Sequence, residues 1–188
     1  MSQPQGRAGK ANRGPAAGPE NRRALIDAAR AIFQEQGLGA PLSAVARRAG
    51  VGQGSLYRHF PDRLALASAV FEENVADLER FAQPPDVTLE GLFDQIVAQA
   101  LESSAFIELT TANRHDPNVL HLGDRFRGVV VRLLERERAA GHVGEHVEVE
   151  DVLLATGMLA TELARTDAGD REAVAARIRG LVRRALAP

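Results

Sequence analysis

The sequence predicts an all-α fold: three small N-terminal helices, a long connecting helix, and a helical body behind it. Apolar residues recur at spacings of three and four in segment after segment, the period of one helical face. No run alternates apolar with polar residues and no hairpin turn signal appears, so strands have no support. From Pro41 to Pro117, every proline falls at the edge of a periodic segment, where its fixed φ and missing N–H are tolerated.

Residues 1–19 are rich in Gly, Pro, Ala and Gln and lack an apolar period. They read as a disordered arm, made basic by Arg7, Lys10 and Arg13. Over residues 21–37, Leu25, Ile26, Ala29, Ile32 and Phe33 share a helical face, and Gly37 supplies the stop. The second helix is short. Pro41 suits its first position, Leu42, Val45, Ala46 and Ala49 form its buried face, and Gly50 ends it. Val51 plugs the turn. A third helix then starts at Gly52 or Gln53 and buries Leu56 and Phe60 at i and i+4. Two short helices on so tight a turn, with small Ala46 where they cross, predict a helix-turn-helix. "PDRLALASAVFEENVADLERFAQPP" is one long helix, opened by Pro61 and stopped before Pro84. Its stripe is Leu64, Ala67, Phe71, Val75, Leu78 and Phe81. Further helices are expected over 88–102, 104–113, 117–140, 148–166 and 170–186. The expected division is an arm over 1–19, a helix-turn-helix unit over 20–66 and a helical body over 67–188.

Of 188 residues, 45% are apolar and none is Cys, which excludes disulfides and thiolate metal sites. No signal-peptide pattern stands at the start. The most apolar window, "DVLLATGMLATELAR", is interrupted by Gly157 and Glu162 and is too short to cross a bilayer. A soluble, cytoplasmic protein with no membrane partner is expected. The net charge of −2 hides a split. Residues 1–63 carry ten Lys and Arg against four Asp and Glu, a net of +6; the rest carry thirteen against twenty-one, a net of −8. A basic first third points to a polyanion. Charge alone leaves a chance gradient equally open.

The stretch "GVGQGSLYRHFPDR", Gly50 to Arg63, sharpens that point. The second helix of a helix-turn-helix enters the major groove N-terminus first. Gly52 and Gly54 let its first turn come close to the DNA backbone. Its free N–H groups and positive dipole end suit a phosphate. Gln53 can bond adenine, and Arg58 guanine, in bidentate fashion. Ser55, Tyr57 and His59 carry donors of the kind that hold phosphates, and Arg63 adds a charge on the same side. Plainer readings stand beside these: Tyr57 packing on the first helix, His59 without a partner, Arg47 and Arg48 a solvated face. Leu56 and Phe60 are core.

At these residues, "LSAVARRAGVGQGSLYRHFPDRLAL" resembles the DNA-binding segment of the tetracycline-repressor-like (TetR) regulators. The resemblance covers residues of about 20 to 70; the rest matches only in length and helicity. It implies that Gln53, Gly54, Ser55 and Arg58 face bases or nearby backbone, and that Tyr57, His59, Arg63 and Ser43 hold phosphates. Two positions depart from the family pattern: Pro41 replaces a common Thr cap, and Gly52 replaces a Ser, a better cap than Gly. The resemblance further implies a homodimer through the last two helices, packed as a four-helix bundle. It also implies a small-molecule effector in the acidic body that would shift the helix from Pro61 to Gln83. One recognition helix reads too few bases alone, so a two-fold dimer on a palindromic operator is expected, with half-sites roughly 34–36 Å apart or a near multiple of that.

Phe71, Phe93, Phe106, Phe126 and Met158 are candidates to line the effector cavity, with Thr110, Asn113 and His115 to orient a ligand. The binding set expected is Phe106, Thr110, Asn113, His115 and Met158. Ordinary core is the competing reading of each apolar member. His115, Asp116, His121 and Asp124 raise a metal-dependent hydrolase, but Asp116–Pro117 is also an ordinary helix start. His142 and His146 have zinc-ligand spacing, yet Gly141 and Gly144 break any helix there. No nucleophile elbow or phosphate loop occurs. No cofactor, metal or enzyme activity is expected. The sequence therefore predicts a DNA-binding repressor released by a small molecule and nucleoid-associated when bound. The alternatives are a DNA-binding regulator without such a ligand and, last, a helical metal-dependent hydrolase.

Overall fold

In the computed structural model, the apolar stripes become eight helices among the described residues, which are 18–102, 109, 112, 113, 115–167 and 169–188. The basic arm up to residue 17, and most of the helix expected over 104–113, lie outside them. The helices are α1 (Gly18–Gln36), α2 (Leu42–Arg48), α3 (Gln53–His59), α4 (Arg63–Phe81) and α5 (Leu89–Glu102). They continue with α6 (Pro117–Ala139), α7 (Val149–Arg165) and α8 (Arg171–Leu186). No described helix is long and apolar enough to cross a membrane.

The starts differ from expectation at two prolines. Pro41 is not the first helical residue; it sits before α2 in extended backbone, φ −65° and ψ 132°. Pro61 likewise precedes the true cap of α4. Asp62 takes that role, its Oδ1 accepting from Ala65 N at 2.8 Å, so the helix begins at Arg63. The stops follow the glycines. Gly37 and Gly50 have φ of +74° and +66°, the left-handed region that ends a helix. At the second of these, Val51 N donates back to Ala46 O at 3.0 Å and closes the α2 end.

Two apolar cores result. The first gathers Leu25, Phe33, Val45, Leu56, Phe60 and Leu66, so α1, α2, α3 and the first half of α4 close on one another. It reaches on through Phe71 to Val119 and Leu122 at the start of α6. The second gathers Leu78, Phe93, Val130, Leu133, Leu159 and Leu163 from the end of α4 and the helices behind it. Helix α4 thus belongs to both cores and packs along α1 and α6. Helix α5 packs on α7, and α8 closes the far end against α5 and α7.

Candidate nucleic-acid interface

Helix α3 is only one face deep. Leu56 and Phe60 are buried, and the rest of its surface is turned outward. Gln53, Gly54 and Arg58 are exposed, Tyr57 is 53% exposed, and Ser55 and His59 are half-buried. Tyr57 therefore does not pack away on α1. Ser43 is exposed in the first turn of α2. The His59 ring lies 6.4 Å from that of Phe60, tilted against it. From Ala40 to Pro61 the chain has no acid but three arginines, Arg47, Arg48 and Arg58. One of the three is partly neutralised, because Arg48 Nη1 meets Glu35 Oε1 at 2.6 Å.

The three clustered glycines separate into two kinds. Gly50 needs its positive φ. Gly52 and Gly54 do not have one, and a Cβ on either would meet nothing within 4 Å. Among the described residues nothing therefore demands glycine at these two positions. No side chain caps α3 either: Gly52 O accepts from Ser55 N at 2.9 Å and from Leu56 N at 3.1 Å, but Gly52 brings no side chain to the first N–H groups. The N-terminus of α3 has no side-chain cap and lies in a stretch of sequence without an acid.

Arg63 has partners inside the molecule. Its Nη1 donates to the carbonyls of Leu38 and Ala40, so this guanidinium ties α4 to the turn between α1 and α2. A cation missed in the sequence stands nearby. Arg22 of α1 has its Cζ 5.3 Å from the Phe60 ring centroid, beside the end of α3. The basic pair Arg22–Arg23 was the available signal, but only the packing of α1 on α3 puts it there.

The body holds a cavity of about 540 Å³ between α1, α4, α5, α6 and α7. Phe71 and Phe126 are on its wall. Phe93 instead lines a smaller cavity of about 260 Å³ near α8. Asn113, His115 and Met158 are not on the large cavity's wall. Asn113 Nδ2 donates to Leu109 O at 3.0 Å, and Met158 is 62% exposed on the outer side of α7. Phe106 and Thr110 lie outside the described residues. Among the described residues no three metal-ligating side chains stand together. Asp116 caps α6 by accepting from Asn118 N at 2.9 Å, and His146 Nε2 bonds the Ala185 carbonyl at 3.1 Å.

Residues 25–70, the α1–α4 unit, match the family model described as bacterial regulatory proteins, tetR family. The HTH-type transcriptional regulator SrpR of Pseudomonas putida is 27% identical over 166 residues, 79% of this chain and 78% of that protein. A TetR transcriptional regulator from Streptomyces coelicolor superposes with a TM-score of 0.66 at 28% identity, over 89% of this chain and 98% of its own. A gamma-butyrolactone receptor shares the fold, with a TM-score of 0.61 at 22% identity over 91% of this chain and 90% of its own.

Proposed function

From the premise that this chain belongs by its residues 25–70 to the tetR family of bacterial regulatory proteins, we propose a dimeric repressor that a small molecule releases from a palindromic operator. It is a transcriptional regulator and not an enzyme. The unit over 20–66 binds DNA, and the body over 67–188 dimerises and senses. Helix α3 enters the major groove N-terminus first. Gln53 and Arg58 read base edges, and Ser43, Ser55, Tyr57 and His59 hold phosphates. Arg63 acts behind them by fixing the turn before α2. The observation that carries this reading is the uncapped N-terminus of α3, whose glycines at 52 and 54 meet no packing need among the described residues.

Two copies meet through α7 and α8. Leu154, Met158 and Leu181 are more than half exposed there, and Leu154 and Met158 lie one turn apart on one face. The effector occupies the cavity beside α4, whose size suits a small molecule. The gamma-butyrolactone receptor of the same fold supports a sensing role for the body. The protein works in the cytoplasm, on the nucleoid when bound. The test is selection from random duplex DNA. A palindrome enriched by the native protein and lost with Arg58→Ala is the expected result. No enriched motif, or one indifferent to Arg58→Ala, would remove α3 as the recognition helix.

A further inference from the structure

We propose that the effector is an amphipathic acid, and that its carboxylate takes Arg30 away from Glu73. This rests on the reading of the large cavity as an effector site. Arg30 belongs to α1, in the DNA-binding unit, yet it lines that cavity together with Phe33 and Gln34. A ligand held there touches the DNA-binding unit directly, besides the body.

The wall sorts by chemistry. Phe33, Val70, Val75, Ile96 and Phe126 offer apolar surface for a chain of carbons. Arg30, Asn74 and Gln99 offer N–H donors. Arg30 is the cation among the described lining residues, and the acid among them, Asp124, is exposed.

Arg30 is poorly satisfied as it stands. Its Nη2 donates to Glu73 Oε2 at 2.6 Å, while its Nε is sealed from solvent and meets no acceptor among the described residues. A buried N–H without an acceptor carries a desolvation penalty. Turned off Glu73 toward the cavity, the guanidinium would present its Nε–Nη2 edge, and a ligand carboxylate there would accept both N–H groups in parallel, the stronger geometry for this pair. The existing partner is easily displaced. Arg30 and Glu73 are 37% and 43% exposed as side chains, and ion pairs that wet contribute little. A freed Glu73 turns to water. The exchange removes a tie between α1 and α4 and hands α1 to the ligand, so occupancy is transmitted to the DNA-binding unit without passing through the dimer face.

The experiment titrates the full chain with straight-chain carboxylates from hexanoate to dodecanoate, and with the matched 1-alkanols and alkylamines, by calorimetry and melting temperature. The proteins are the native chain, Arg30→Gln and Glu73→Gln, each first shown to melt cooperatively. A carboxylate should bind about tenfold or more tighter than its alkanol, and Arg30→Gln should erase that preference. Glu73→Gln removes the competitor and should tighten the acid severalfold, a gain that lost packing would not produce. Alkanols or amines that bind as well as acids, or acids weakened by Glu73→Gln, would overturn the exchange and leave the effector reading standing. No binding by any of the three series would sink both.

Discussion

Gly50, Gly52 and Gly54 look alike in the sequence and have opposite requirements. Gly50 sits at φ +66°, where an added Cβ is strained. Gly50→Ala should therefore destabilise by about 1–2 kcal/mol. Gly54 lies inside α3 with open space around it. Gly54→Ala should leave the melting temperature unchanged or raise it by the helix preference of about 0.5–1 kcal/mol, yet weaken operator binding. A Gly54→Ala protein that binds DNA as tightly as the native one would remove close approach as the reason for that glycine. Arg63 makes a converse case. Arg63→Ala should lower the melting temperature, because two carbonyls lose their donor. A variant with native stability and a salt slope shallower by about one unit would restore the phosphate role. The exposed row Gln53, Tyr57 and Arg58 was legible because α3 is local: seven residues fix which side faces out. Arg30 was not legible, because its importance comes from Glu73, 43 positions away on another helix.

At the scale of elements, α4 is held at its middle and near its C-terminal end. Arg30–Glu73 joins it to α1, and Glu79 joins it to α6, where Arg125 Nε and Nη2 grip the two carboxylate oxygens at 2.9 and 2.7 Å. The hydrogen bond from Arg125 holds the Glu79 carboxyl below its ordinary pKa, with the charges of Arg125, Arg132 and His121 adding to it against the cost of burial. The folded pKa is lowered, so the stabilisation is present above the unfolded carboxylate pKa of about 4.3 and is lost as pH falls through the folded value. Glu79→Gln should therefore lower stability near neutral pH by about 0.5–1 kcal/mol, the figure for a partly wet pair. That gap should narrow below about pH 4. An undiminished gap at pH 3 would mean that Glu79 acts by packing rather than by charge. The helix itself was plain in the sequence: Ala67, Phe71, Val75 and Leu78 of the expected stripe are buried, while Leu64 and Phe81 are half-buried and Leu66 and Val70 join the buried side. Its start was misplaced because Pro61 and Asp62 both suit a helix entrance, and the choice was made by the Asp62 carboxylate reaching Ala65 N. The partner of Glu79 lay beyond reach of any periodicity, on a helix 46 residues further along.

For the whole molecule, the charge split and the exposed face of α7 and α8 make one argument. Residues 1–63 carry a net +6 and the rest a net −8, so the body is repelled from DNA and each copy presents only its small basic unit. On the proposed reading, one short α3 offers too few base-reading side chains to supply operator affinity and specificity alone. Joining two copies makes the second half-site contact intramolecular, which multiplies affinity without new contacts to the bases. The weak point of the proposed arrangement is its exposed apolar residues, Leu154, Met158 and Leu181. A charge placed there costs little in a lone copy, because the side chain already faces water, and costs much where two copies meet. Met158→Glu should thus keep the melting of each copy close to native, sediment as a monomer, and lose operator affinity by about a hundredfold or more. The slope of log affinity on log salt should fall to about half, because half the phosphate contacts are gone. A Met158→Glu chain that stays dimeric would move the two-fold contact elsewhere on the body. One that is monomeric yet binds the operator with native affinity and slope would show that a single α3 is enough.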